Sequence, residues 1–331
     1  MSGLLQRLRS WLGANASQPP ATPTTPPVSA NPVPAPAQAQ NQDQDRASTG
    51  GATEAMGGAE VPGDLELQYF HWLTARPVVD GAQPTALEAG LLAHLDAVLR
   101  SEEMREGLVP RARSIIPQLM HSLREPNQPV QALAARIARD PNLVVEVIRM
   151  ANTVGYRGDA PTGDLLQAIS RLGTEGLRRA IARILLKPIV DARADPLLGA
   201  ATDRLWLQSE AKANLCLAQA ASVRVDAFDA YLAALMQNVG WTGAFRAIDR
   251  STQRAPQTFT AAFVRELQPR RDRLFAQLAK AWALSDALTG LAEEVLAGGM
   301  ASAPSGLAQL LRVADRVCAR QVMQAGNAAH A

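Results

Sequence analysis

The 331 residues carry 33 Lys and Arg against 31 Asp and Glu, a formal net charge of +2, and 47% are apolar with only 4% aromatic. This length suits one large domain, or two modest ones with a tail. Near-neutral charge argues against nucleic-acid binding, and no apolar run approaches the ~18–20 residues of a membrane span.

A core poor in rings must be built from Leu, Ala, Val and Ile, which suits packed helices. The basic residues are almost all Arg; Lys occurs only at 187, 212 and 280. Cys216 and Cys318 fall on expected helices and read as buried, reduced thiols. The N-terminus shows no continuous apolar signal core, so a cytoplasmic location is expected.

Residues 1–13 open the chain with a short amphipathic pattern. Leu4, Leu8, Trp11 and Leu12 share one helical face and form a candidate docking face. A helix this short is marginal alone and orders only against a protein or a membrane surface. Residues 14–63 read as a disordered linker rich in Pro, Ala and Gln, with nine of the 22 prolines. As a flexible coil its ends would lie roughly 40 Å apart.

Folded sequence begins near Asp64. Leu65, Leu67, Phe70 and Leu73 predict a first helix that ends before Arg76-Pro77. Leu87, Leu91, Leu92, Leu95, Val98 and Leu99 predict a second, from about Pro84 to Arg100. Together they suggest a helical cap over 64–106. From residue 107 to 320 the pattern is helix after helix. Ile115, Ile116, Leu119, Met120 and Leu123 form one stripe, and Pro129 opens the next helix. Asp140-Pro141 caps and starts a helix over Leu143, Val144, Val147, Ile148 and Ala151. Asp164 caps another that Gly173 ends. No alternating strand pattern emerges, so the domain is expected to be all-α, with a flexible tail over 321–331.

Several short blocks then occur in order: Asp140-Pro141-Asn142-Leu143, Ile148-Arg149-Met150-Ala151-Asn152-Thr153, Tyr156-Arg157-Gly158 and Ala168-Ile169-Ser170-Arg171-Leu172-Gly173. In that order and spacing they resemble the HDOD domain, an all-helical bacterial module related to HD-type metal-dependent phosphohydrolases. The resemblance implies a multi-helix bundle of two helical subdomains. In the HD enzymes an early His, a His-Asp pair and a late Asp hold a divalent metal that activates water. The matching positions here are Gln208, Gln237-Asn238 and Asp315. One carboxylate and three amides do not make a tight transition-metal site. The four histidines, His71, His94, His121 and His330, lie outside these blocks.

The resemblance therefore implies a non-enzymatic signalling scaffold, with a degenerate metal site, no cofactor, and signalling proteins as partners. Residues 3–12 would add a second contact, to a protein or peripherally to a membrane. An alternative is a nucleotide or phosphate sensor that uses the vacated pocket, with Arg157 or the cluster Arg265, Arg270, Arg271 and Arg273 around Pro269 as anion partners. A residual hydrolase is a third reading. Asn152 and Arg157, polar and close together in one loop, are further candidate contacts. The Arg cluster also reads as an ordinary solvated helix start.

Overall fold

The computed structural model describes residues 62–109, 134, 137–138, 141–152, 160–190 and 196–328. Val61–Ala331 make one compact unit. The docking face at Leu4, Leu8, Trp11 and Leu12, Pro129, Arg157 and the expected linker up to residue 61 lie outside the described residues, while Pro62 and Gly63, placed in the linker from sequence, open α1.

The described α-helices and strands are α1 (Pro62–Thr74), β1 (Val78–Val79), α2 (Ala86–Arg100), α3 (Glu102–Leu108), α4 (Pro141–Ala151), α5 (Leu165–Val190), α6 (Pro196–Gln219), α7 (Ala227–Gln237), α8 (Val239–Asp249), β2 (Phe259–Thr260), α9 (Ala261–Trp282), α10 (Asp286–Gly298) and α11 (Gly306–Ala328), with a 3-10 turn at Ala220–Val223. The all-α expectation holds. Beyond it, two residues of β1 pair in parallel with β2, Val78 with Phe259 and Val79 with Thr260.

The helix starts follow local chemistry. The Asp164 carboxylate accepts the Gln167 amide at 2.7 Å and opens α5. Gly173, at φ 61°, breaks α5 where the sequence placed a helix end, and a second helical stretch continues from the same point. The Asp226 carboxylate caps α7 through the Phe228 and Asp229 amides. α6 packs along α7, α8 and α11, while α9 packs on α8, α2 and α10.

The segment over 64–106 is not a cap set before the domain; its helices are built into the core. Phe70 of α1 packs edge-on to Phe259 at 5.2 Å and to Phe245 at 6.0 Å, and also meets Trp241 and Phe263. These five rings form one cluster, in which each buries a large area. The expected flexible tail is also corrected: α11 continues to Ala328, because Cys318, Ala319 and Val322 extend its buried stripe. Pro269 lies inside α9 and does not start a helix. Thr260 is the cap, its hydroxyl accepting the Phe263 amide at 3.1 Å. The helix tolerates the lost backbone bond because Phe263, Val264, Leu267, Leu274 and Phe275 are all buried.

One buried carboxylate joins two helix starts. Glu88, in the first turn of α2, accepts the Thr85 amide at 2.7 Å and completes a capping box. It also accepts the Thr260 amide at 2.6 Å and the Thr260 hydroxyl at 2.9 Å. Replacing it strands buried donors at the head of α9. Glu88→Ala is expected to cost about 3 kcal/mol in urea denaturation, with Glu88→Gln, which keeps one acceptor oxygen, falling between it and the parent.

Candidate functional site

The four positions Gln208, Gln237, Asn238 and Asp315 converge. Gln208 comes from the middle of α6, Gln237 ends α7, Asn238 is the junction between α7 and α8, and Asp315 lies on α11. The three amide side chains are buried. Gln208 donates to the Asp315 carboxylate at 2.9 Å and accepts from the Asn238 amide at 2.5 Å.

A fifth residue, not among the candidates drawn from the sequence, sits at the centre. Lys212 is fully buried, at 0% exposure. It lies one turn beyond Gln208 on α6, so both point from the same helix face. Its ammonium donates to Gln237 Oε1 at 3.0 Å, Asn238 Oδ1 at 2.8 Å and Asp315 Oδ1 at 3.0 Å. This side chain places its charged end among Gln237, Asn238 and Asp315. A signal was available: Lys212 is one of only three lysines in an Arg-rich chain. It stands in a run with apolar neighbours at Ala211, Ala213, Leu215 and Cys216.

Asn238 is oriented by its surroundings. Its amide nitrogen also lies 2.8 Å from Ser209 Oγ and 3.3 Å from the Leu205 carbonyl, which turns Oδ1 toward Lys212. Two residues on, Gly240 allows α8 to press on α9. A Cβ there would lie 2.5 Å from the Arg271 carbonyl. This approach places the Arg271 guanidinium over the Trp241 ring, 4.9 Å from its centroid.

Arg271 contacts the outer side of the site. It is held by Asp272 at 2.6 Å, and its other Nη lies 3.8 Å from Asp315 Oδ2. Asp315 thus stands between two cations, and its side chain is 25% exposed. Burial would raise its carboxyl. The Lys212 and Arg271 charges, with hydrogen bonds from Lys212 and Gln208, outweigh burial and hold it below the usual carboxylate value. On α1 nearby, burial pushes the Glu66 carboxyl up. Burial likewise raises the Cys318 thiol to about 12 and the Cys216 thiol further. Both cysteines are free and buried, which makes them poor nucleophiles.

The other candidates are dispersed. Arg270 forms a two-pronged pair with Asp96 at 2.8 and 2.9 Å and also bonds Glu266. Arg273 is exposed on the surface. The Arg cluster therefore splits between a cross-link to α2, the buried site and solvent. Asn152 is a loop clamp: its amide donates to the Thr162 carbonyl at 2.9 Å and accepts the Thr162 amide at 2.8 Å. Among the described residues there is no group of three or more His, Cys, Asp or Glu placed to hold a metal ion.

Asp315→Asn keeps the shape but strips a charge from between two buried cations. It is expected to cost about 2–4 kcal/mol at neutral pH. Because the folded carboxyl titrates below its unfolded value, this stability is complete above the unfolded pKa of ~3.9 and lost as pH falls through the folded value. Urea melts from neutral to acidic pH are expected to show the full gap above about pH 5, closing progressively below about pH 4.

A model of the HDOD domain matches residues 109–295, more than half of the chain. A crystal structure of an HDOD domain protein with unknown function from Geobacter sulfurreducens is similar at 19% identity, over 69% of this chain and 77% of that one, with a TM-score of 0.48. No curated protein matches. The chain belongs to the HDOD domain family.

Proposed function

We propose that this is a non-catalytic bacterial signalling protein that works by binding other proteins through its HDOD domain. The observation that carries the reading is the Lys212 cluster. Where the resemblance implies a metal-water centre, the chain places three amides, one carboxylate and a buried ammonium. An ammonium bonded to all three oxygens sets a fixed positive charge where a Lewis acid would sit, and its neighbours are amides and one carboxylate already paired to cations, not a base-and-metal pair to activate water. The residues that hold the helices in register are kept satisfied, which suits a rigid binding module.

The degenerate metal site accounts for loss of chemistry without loss of fold. Residues 3–12, on their tether, provide a second contact to a partner or a membrane surface. The two free thiols fit a reducing, cytoplasmic setting. Among the described residues no helix is long and apolar enough to cross a membrane.

Two measurements test the proposal together. The purified full chain is expected to hold no stoichiometric metal and to turn over no phosphomonoester, phosphodiester or nucleotide when Mg2+, Mn2+ or Fe2+ is added. In its native cell, cross-linking with mass spectrometry is expected to return a reproducible partner joined to the helical domain. One tightly held metal ion per chain together with phosphoester turnover contradicts the reading.

A further inference from the structure

We propose that Gln237, Asn238 and Asp315 form a primary-ammonium site, that Lys212 is its built-in occupant, and that this occupancy keeps metal ions out. The proposal rests on the geometry of the cluster and stands whether or not the domain binds signalling proteins.

Four observations support it. First, an ammonium has three hydrogens, and Lys212 faces three oxygens at 2.8–3.0 Å. A neutral amine has only two hydrogens, so the cage matches the charged form. Second, the oxygens do not face inward by chance. The Asn238 amide nitrogen is committed to Gln208 and Ser209, which leaves Oδ1 for the cation. Third, the charge matches a monovalent guest: the cage contains one carboxylate, and Arg271 lies on its other oxygen. A divalent ion would face too little negative charge to offset its dehydration. Fourth, Lys212 is fully buried and its stem comes from α6, so the ammonium is covalently tethered within the cage.

The test cuts the tether. Lys212→Ala removes three carbons and the ammonium, which together correspond to n-propylammonium. The full-length variant is expected to melt about 10 °C below the parent, because the Asp315 carboxylate and two amide oxygens lose their buried partner. Adding n-propylammonium at roughly 50 mM is expected to recover several degrees, since it binds only the folded state. Tetramethylammonium, which has no N–H, recovers nothing, and neither Mg2+ nor Mn2+ outperforms propylammonium. The parent protein responds to none of them. An unchanged melting point, equal recovery by tetramethylammonium, or greater recovery by a divalent ion overturns the proposal.

A second variant covers failure of Lys212→Ala to fold. Lys212→Met keeps the stem and loses the charge. Combined with Asp315→Asn, it is expected to lose less melting temperature than the two single losses added, because the stranded carboxylate has gone. Strictly additive losses contradict a shared ammonium–carboxylate site.

Discussion

The bonding of one buried ammonium sets the terms for the centre of this molecule. A charge removed from water destabilises the fold by several kcal/mol unless every hydrogen finds an oxygen. Lys212 finds three, one at the end of α7, one at the α7–α8 junction and one on α11. Its own stem comes from α6. Four chain segments are thereby tied at a point, and a shift of any one would strand a charge. Sliding a helix by one residue would turn Gln208 and Lys212 away together, so the cluster fixes register as well as contact.

From that point the constraint spreads through α9. Asp315 passes the charge outward to Arg271, which lies on the Trp241 ring and is held by Asp272. Gly240 makes room for this approach by having no side chain where the Arg271 carbonyl passes. Trp241 belongs to the ring cluster centred on Phe70, which draws α1 into the core. At its other end α9 is fixed by Glu88 through Thr260. The long helix is therefore held at its head by a buried carboxylate and at its middle by a buried guanidinium, with apolar packing between. The proline in its interior is tolerated within that frame.

Much of this was legible in the residues. Helical periodicity placed α1, α2, α4 and the start of α5 to within a few positions, because each has a capping side chain or a clear apolar stripe, while Gly173 proved a break inside α5 and not its end. The convergence of Gln208, Gln237, Asn238 and Asp315 came from ordered blocks and resemblance, since residues 107 positions apart share no local signal. Lys212 was missed for a physical reason. A lysine in a helix usually extends its charge into water, and only tertiary structure shows that α7, α8 and α11 close over this one. The 64–106 segment looked separable because its stripes are self-consistent, while its partners lie far along the chain. The end of α11 was misjudged because small residues and a late Gly326 resemble a frayed end, although Val322 is buried. Asn152 looked like a ligand contact, and both sides of its amide are used by Thr162 instead.

The most direct measurement is the ammonium itself. With lysine only at 187, 212 and 280, a lysine-selective 15N–1H spectrum of the full chain at neutral pH contains at most three side-chain signals. Lys187 and Lys280 are exposed, so fast exchange with water should broaden theirs. The account requires one NH3+ signal that exchanges slowly, persists in excess EDTA, ignores added Mg2+ or Mn2+, and vanishes in Lys212→Met. A spectrum with no protected ammonium, or a Lys212 signal that moves on stoichiometric addition of a divalent ion, would contradict it.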